Sequence, residues 1–355
     1  MVPIKNIVYY ISSHGYGHYA RSIPVLNELV SDFNVHVKSE IPQELFTKFL
    51  NGDFKYWPQS VDTGCRHSTS LKVDCEETFK NFKEFQNGSM MDAEKLWLQE
   101  NQIALVLSDV ASMPMKAAHD LGIPSILIGN FTWHDIYSHL PGAEEHKHLL
   151  QDLEEEYRCA DLHILPQLHL PPLQIEKSKE VGFLAQNGQD IRKDLEQHLN
   201  ISFTGKTLVF IYLGLLGTHS VLWENLSQHE DCLYLTRDPI EQSVPGLHIL
   251  DDQFDFPDLI ASVDVVCTKG GYSTLGLAFA SHKPVITCER HDFYEFEAIR
   301  EYLLKTQTGV IIADEDFYQG NWQGAIKTAL NLTVKDKVPL NGEIEILETV
   351  HQMLS

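Results

Sequence analysis

Residues 7–18 of the chain read IVYYISSHGYGH, an apolar run followed by a polar loop with two glycines and two histidines. An apolar, β-branched run that ends in a glycine-containing turn predicts a buried β-strand that leads into a helix. The run is too short for a signal peptide and lacks a small-residue cleavage site. We therefore predict a strand over Ile7–Ser12 and a helix that opens near Ala20.

Similar apolar runs alternate with helical patterns along the whole chain. The predicted strands are Ile7–Ser12, Val35–Ser39, Ile103–Ser108, Ser125–Gly129, Leu162–Leu165, Thr207–Leu213, Cys232–Thr236, Leu247–Ile249, Val263–Thr268, Pro284–Cys288 and Gly309–Ile312. The predicted helices include Ala20–Val30, Pro114–Leu121, Ser273–Ala280 and Phe293–Leu303. Continuous apolar strands separated by helices indicate β-α-β crossovers, so we predict an α/β protein with buried parallel sheets.

The 355 residues are enough for about two domains, each with its own core. A proline-rich stretch at 166–172 and a polar segment at 185–205 part the strands into two groups. We predict doubly wound domains over 1–184 and 185–338. Residues 339–355 form a separate final segment, in which apolar residues recur at helical spacing over Glu343–Leu354.

The chain is strongly acidic, with 27 Lys and Arg against 50 Asp and Glu and a formal net charge of −23. This balance argues against nucleic acid or an anionic membrane surface as a partner, since both need a basic face. The chain has no apolar run long enough for a transmembrane helix. Its 6 cysteines lie far apart, which fits a reducing compartment, so we expect a cytoplasmic protein. The oligomeric state stays open.

The first loop contains His14, Gly15, Gly17 and His18. Its glycines allow a tight turn and a close approach of the backbone to a ligand. The dinucleotide fingerprint G-x-G-x-x-G fits poorly, because Ala20 stands at the third glycine position. A neutral imidazole at the helix start can take a proton from a hydroxyl group. The alternative is that both histidines only cap or hydrate the loop.

Asp109 follows the buried strand Ile103–Ser108. A carboxylate at a strand end can orient a histidine on the neighbouring strand's loop, and His18 is the candidate. The alternative is that Asp109 caps the helix that begins near Met113.

A third loop, at 129–137, contains aromatic and amide side chains. Asn130 and Trp133 are its candidates for contact with a ring-shaped or sugar-like ligand. The alternative is that Trp133 and Tyr137 belong to the core.

Two further loops follow strands of the second domain. Their candidate residues are Gly214 and Gly217 after Thr207–Leu213, and Lys269, Gly270, Gly271, Ser273 and Thr274 after Val263–Thr268. Backbone N–H groups and hydroxyls at a helix start can bind a phosphate, with Lys269 and Arg290 as nearby cations. The alternative is an ordinary helix cap. The P-loop pattern is absent.

Four segments together resemble GT-B glycosyltransferases of the UDP-glycosyltransferase and MurG type. They are HGYGH with Arg21, SDVASMPMKAAHDLGIPS (108–125), NFTWHDIY (130–137) and FPDLIASVDVVCTKGGYSTLGLAFASHKP (256–284). The resemblance runs from about residue 5 to 345 and is strongest to the glycosyltransferase-like N-terminal half of plant L-arabinokinases. The kinase half of those enzymes is absent, so sugar-kinase activity is not implied.

The resemblance implies two facing Rossmann-like domains, with the final helix crossing back to the first. The N-terminal domain would bind a hydroxyl acceptor near His14, Gly15, Gly17, Asn130 and Trp133, and the C-terminal domain a nucleotide-diphosphate sugar such as a UDP-sugar. His18 would be the base, oriented by Asp109, and 268–274 would hold the diphosphate. Such enzymes generally need no metal or cofactor and this type inverts the anomeric centre, so Asp314–Asp316 is interpreted as a solvated turn.

Leu277 departs from this pattern, because relatives carry there a Glu that binds the nucleotide ribose. Another carboxylate, such as Glu289, Glu295 or Glu297, would take the ribose, or the donor differs, or catalysis is lost. Two rival functions follow: a non-hydrolysing nucleotide-sugar epimerase of the same fold, and a non-catalytic nucleotide-sugar-binding protein.

Overall fold

The chain folds into two units, each built on a parallel β-sheet. The computed structural model describes residues 4–66, 73–86, 90–173, 175, 177–214, 218, 221–290, 293–335 and 337–355. Unit 1 comprises the described residues of 1–68, 73–184 and 339–355, and unit 2 comprises those of 185–338.

The strands are β1 Asn6–Ile11, β2 Asn34–Ser39, β3 Phe54–Pro58, β4 Ile103–Asp109, β5 Ser125–Ile128, β6 Leu162–Pro166, β7 Ser178–Val181, β8 Thr207–Tyr212, β9 Cys232–Thr236, β10 Leu247–Ile249, β11 Val265–Thr268, β12 Val285–Cys288 and β13 Gly309–Ile312. The helices are α1 Tyr16–Leu29, α2 Gln43–Phe49, α3 Cys75–Gln86, α4 Met90–Glu100, α5 Met113–Leu121, α6 Trp133–Ser138, α7 Lys147–Arg158, α8 Arg192–Leu199, α9 Phe256–Ala261, α10 Tyr272–Ala280, α11 Glu295–Thr306, α12 Asp314–Tyr318, α13 Gln323–Ala329 and α14 Gly342–Leu354. Short 3₁₀ helices span Ala143–His146 and Trp223–Gln228.

The sheet of unit 1 has the strand order β3-β2-β1-β4-β5-β6-β7. The order runs outward from β1 in one direction and from β4 in the other, so the loops after these two strands diverge and leave a crevice at the carboxyl edge. Ile11 pairs with Asp109 in the register of β1 and β4. The residues that follow β1 and the end of β4 therefore meet at one point of the sheet edge.

The sheet of unit 2 has the order β10-β9-β8-β11-β12-β13. Its change of direction lies between β8 and β11, where Tyr212 pairs with Thr268. Residues 213–214 and 269–271 therefore follow neighbouring strands at the same edge of this sheet. The prediction of an α/β fold with two doubly wound, Rossmann-like sheets is confirmed.

The C-terminal helix α14 packs on unit 1. Its side chains Ile346 and Val350 are fully buried in one apolar cluster with Ile23 and Leu26 of α1. The Lys179 Nζ atom donates to Thr349 Oγ1 over 2.8 Å and fixes the helix against β7. Full burial of two aliphatic side chains stabilises this docking by about 3–6 kcal/mol.

Two strands were not predicted from the sequence, and both are edge strands of the unit 1 sheet. β3 (FKYWP) and β7 (SKEV) carry polar or partly exposed residues instead of an apolar run. Edge strands are covered on fewer sides than central ones, so their sequences alternate less clearly.

Two helix starts also differ from prediction. α1 begins at Tyr16, not near Ala20, so Gly17 and His18 belong to its first turn. Asp314–Asp316 was predicted as a solvated turn; Glu315 and Asp316 are exposed, but the segment is the first turn of α12, where acidic residues interact favourably with the helix dipole. No helix within the described ranges is both long and apolar enough to span a membrane.

Candidate active site

A buried imidazole–carboxylate pair lies at the carboxyl edge of the unit 1 sheet. Nδ1 of His18, in the first turn of α1, lies 2.6 Å from Oδ1 of Asp109, the last residue of β4. His18 is 6% exposed and Asp109 is fully buried. Arg21 Nη2 lies 3.0 Å from the same nitrogen, but it also donates to Asp109 Oδ1 over 2.6 Å. Lone pairs on Nδ1 and Oδ1 would repel at their shorter separation, so we infer that Nδ1 carries the proton. Nε2 of the neutral ring is then the atom that can receive a proton.

Arg21, three residues further along α1, binds the same carboxylate at both oxygens. Its Nε donates to Asp109 Oδ2 over 2.7 Å and its Nη2 donates to Oδ1 over 2.6 Å. Ser22 Oγ also donates to Oδ2, over 3.2 Å. Burial alone would raise the pKa of Asp109, but the charge of Arg21, then that of His18, and hydrogen bonds from both outweigh burial and lower it to about 2.

Asp109 does not cap the following helix. Ser112 occupies the N-cap position of α5, and the Asp109 carboxylate oxygens are bound by side chains of α1. The next residue, Val110, has a φ of 59°, which is strained for a β-branched side chain. The Tyr157 hydroxyl donates to the Val110 carbonyl and holds this backbone in place. Strain of this kind costs about 1–3 kcal/mol and is typical of functional sites.

The predicted loop at 129–137 also lies beside His18 and Arg21, but much of it is buried. Asn130 is 1% exposed and accepts a hydrogen bond from Arg21 Nη1 through Oδ1. Trp133, the first residue of α6, is 2% exposed, and its indole lies edge-on to the His14 ring with centroids 5.1 Å apart. Tyr137 is likewise buried and donates to the Gly64 carbonyl. Trp133 and Tyr137 therefore belong to the core, and Trp133 also lies beside the two histidines.

The segment that follows β3 lies against this loop, and none of its residues was among the predicted site residues. Asp62 accepts hydrogen bonds from Ser12 Oγ over 3.0 Å and from Trp133 Nε1 over 2.9 Å. Burial raises the pKa of Asp62, against the effect of these hydrogen bonds and of the nearby His18 charge. A lone Asp in a loop gives no recognisable signal, and β3 itself was not predicted.

Gly15, in the loop that carries His14, and Gly64, in the segment after β3, both have a positive φ beside the His14 ring. Gly15, at the N-cap of α1, has a φ of 79°, whereas Gly17 lies inside the helix. Gly64 has a φ of 56°, and a Cβ atom there would lie 2.3 Å from Nδ1 of His14. The Gly64 backbone therefore lies directly against the His14 ring, so only glycine fits.

In unit 2 two of the predicted donor-site residues, Gly214 after β8 and Lys269 after β11, lie close together. A Cβ atom on Gly214 would lie 3.4 Å from Nζ of Lys269, so the ammonium group sits beside the turn after β8. Asp238 holds this turn, because its Oδ2 accepts from the backbone N–H groups of Leu213 and Gly214. Burial raises the pKa of Asp238, against these two hydrogen bonds and the charge of Lys269. Asp238 was not among the predicted site residues.

The Gly-Gly segment ends at the N-terminus of α10. Gly271 is the N-cap without a side-chain cap, and Ser273 and Thr274 lie in the first turn, which has no acidic residue. The hydroxyls of Thr218 and Thr268 are buried and have no hydrogen-bond partner among the described residues. A Cβ atom on Gly270 would lie 3.0 Å from Thr287 Oγ1, so this backbone packs closely on β12. Gly217 lies outside the described residues.

Arg290 follows β12, with its guanidinium 5.1 Å from the centroid of the Phe293 ring. Leu277 is 7% exposed in α10 and Glu295 is 8% exposed. Glu297 pairs with Arg300 on the same helix. Within the described ranges, no group of three or more His, Cys, Asp or Glu side chains is placed to hold a metal ion.

No family model matches the chain. The chain is 24% identical over 341 residues to an L-arabinokinase of Arabidopsis thaliana, which covers 94% of this chain. It spans only 33% of the length of that relative.

Several solved structures that are similar to the chain over nearly its whole length are glycosyltransferases. The glycosyltransferase of kitacinnamycin superposes with a TM-score of 0.72 at 13% identity, over 99% of this chain and 100% of its own. The calicheamicin glycosyltransferase CalG4 gives 0.68 at 14%, over 99% of each chain. MurG of Acinetobacter baumannii gives 0.62 at 13%, over 99% of this chain and 100% of its own. At such identities the similarity establishes the architecture, and the chain has the GT-B fold of these glycosyltransferases.

Proposed function

We propose that the chain is a glycosyltransferase that moves a sugar from a nucleotide-diphosphate sugar to a hydroxyl group of an acceptor. The observation that carries this proposal is the 2.6 Å contact between His18 Nδ1 and Asp109 Oδ1, on a GT-B fold. It leaves Nε2 of His18 as a proton acceptor in a buried site.

In the proposed reaction, the acceptor oxygen forms a bond to the anomeric carbon of the donor sugar while its proton passes to His18 Nε2. The bond between that carbon and the diphosphate oxygen breaks, and the nucleoside diphosphate leaves with the bonding electrons. Attack from the side opposite the leaving group inverts the anomeric centre. No metal ion is required for this step.

We further propose that unit 2 binds the donor. Lys269, beside Gly214, and the N-terminus of α10 after Gly271 offer a positive charge and the positive end of a helix dipole to a diphosphate. The unpartnered hydroxyls of Thr218 and Thr268 are further donors. Because Leu277 provides no carboxylate for the ribose, Glu289 or Glu295 takes that role.

The test is to incubate the purified protein with UDP-sugars and a panel of hydroxyl acceptors and to measure released nucleoside diphosphate. A transferase releases it only when the acceptor is present and yields a glycosylated product. Conversion of the donor sugar without any acceptor would point instead to an epimerase. Because of Leu277, a third result is meaningful: calorimetric binding of the donor with no turnover would identify a binding protein.

A further inference from the structure

Two carboxylates lie near His18, and they differ in how their charge is compensated. Asp109 faces Arg21, whose Nε and Nη2 bind both of its oxygens. A fully buried pair of this geometry is electrically neutral as a unit. When His18 gains a proton, the Arg21–Asp109 pair therefore orients the ring but contributes little net negative charge.

Asp62 has no such partner. Its hydrogen bonds come from two neutral groups, the Ser12 hydroxyl and the Trp133 indole N–H. Among the described residues, no Lys or Arg side chain lies within ion-pair distance of it. Its two oxygens can accept more hydrogen bonds than these two donors provide.

The two donors to Asp62, Ser12 and Trp133, also connect it with the surroundings of His18. The backbone N–H of Ser12 donates to the Asp109 carbonyl while its hydroxyl donates to Asp62, so one residue connects the two acids. The Trp133 ring that donates to Asp62 lies with its centroid 6.0 Å from that of the His18 ring. The charge of His18 is also among the groups that lower the pKa of Asp62, against the larger effect of burial.

We propose that Asp62 is a positioning residue that supplies the counter-charge for the His18 imidazolium. The inference rests on the proposed function for the source of the proton, which passes from the acceptor hydroxyl to Nε2 of His18. In this proposed role Asp62 acts through its negative charge and exchanges no proton. Asp109 then fixes the tautomer and Asp62 balances the charge.

His18 is surrounded by charged and titratable groups from several parts of unit 1. In the described part of the chain they are Arg21 on α1, Asp109 on β4, Asp62 after β3 and His14 before α1, with the neutral rings of Phe131 and Trp133 completing the surroundings. Within this set Arg21 carries a positive charge and the two carboxylates carry negative charges.

The test is an NMR titration of the His18 ring with histidine labelled at the Cε1 carbon, and it needs no substrate. The His18 signal is assigned by its loss in His18→Gln. In Asp62→Asn, the midpoint of the His18 titration is expected to fall by about one pH unit, because a favourable charge has been removed. The matched control is Asp161→Asn, which removes a carboxylate that also accepts from a serine hydroxyl and an N–H group, on Ser125. An unchanged midpoint in a folded Asp62→Asn variant would overturn the proposal.

A second readout covers the case in which Asp62→Asn does not fold. In the unmodified protein the His18 signal should show a second inflection at the pH where Asp62 itself ionises, since the two charges interact. Asp62→Glu, which keeps the charge, should retain that inflection. Its absence from both proteins would contradict the proposal. A protein that shows this coupling but transfers no sugar would refute the proposed function and leave the Asp62 inference standing.

Discussion

Arg21 binds Asp109 through two parallel hydrogen bonds inside unit 1, at 2.7 Å and 2.6 Å, and neither side chain reaches solvent appreciably. The pair lies where α1 leaves β1 and β4 ends. Its guanidinium also donates to Asn130, so one cation connects α1 with the ends of β4 and β5. The positions of His18 and the 130–137 loop both depend on it.

Arg21→Gln is expected to destabilise the protein by about 3–5 kcal/mol, because it leaves the Asp109 carboxylate buried without its cation. Urea unfolding measures this change. The control is Arg158→Gln, which breaks an exposed pair with Glu154 on one helix and should cost no more than about 0.5 kcal/mol. Adding Asp109→Asn to Arg21→Gln should recover part of the loss. Equal, small effects of both arginine variants would contradict this description of the pair.

His163 predicts a pH dependence of stability. The side chain is 1% exposed on β6, and burial lowers its pKa to about 4. In the unfolded chain the imidazole takes up a proton near pH 6.5, whereas in the folded chain it stays neutral down to about pH 4. The stability that depends on a neutral His163 is therefore fully present above pH 6.5. It is lost as the pH falls towards 4, by up to about 3 kcal/mol. His163→Leu should flatten the dependence of the unfolding free energy on pH between 6.5 and 4. The exposed His148 on α7 offers the control His148→Leu, and equal slopes in the two variants would refute the assignment.

Gly64→Ala should displace His14, because the new methyl group would overlap the imidazole at 2.3 Å. We expect a loss of about 2–4 kcal/mol of stability, from backbone strain and overpacking together. Gly122→Ala is the matched control: its φ of 65° is similar, but a Cβ atom there meets nothing within 4 Å. Comparison of the two variants by thermal unfolding isolates the contact with His14. Equal destabilisation would mean that strain alone explains the glycine.

Lys269→Gln tests the proposed donor site. Loss of a charge-assisted hydrogen bond to phosphate costs about 1.5–3 kcal/mol, so the Kd for UDP in calorimetry should rise about 10- to 100-fold. Lys305→Gln changes an exposed lysine on α11 by the same chemistry and should leave the Kd unaltered. UDP binding that is unaffected by Lys269→Gln would place the diphosphate elsewhere.

The sequence allowed the central strands and the first site residues to be predicted, for a physical reason. β1 and β4 are buried on both faces, so they appear as apolar runs, and polar residues at their carboxyl ends are conspicuous. Parallel pairing then brings His18 and Asp109 to one edge. The start of α1 was harder to predict, because Tyr16 and Gly17 continue the polar and glycine pattern of the loop before them.

The rest depends on contacts that no local pattern encodes. Asp62 and Asp238 are single carboxylates in loops, and each acquires its role from groups far along the chain, such as Trp133 and Leu213. The role of Arg21 was likewise hidden, since a basic residue on a helix is normally exposed. Only the folded chain shows that it is 2% exposed and bound to Asp109.

Whether His18 is the general base is decided by the rate at which His18→Gln releases nucleoside diphosphate in the presence of an acceptor, relative to the unmodified protein. Removal of a general base should lower kcat/KM by about 10²- to 10⁴-fold without loss of UDP binding. His119→Gln, an exposed histidine on α5, should keep full activity. A His18→Gln variant that retains activity within about threefold of the unmodified protein would contradict the assignment of His18 as the base.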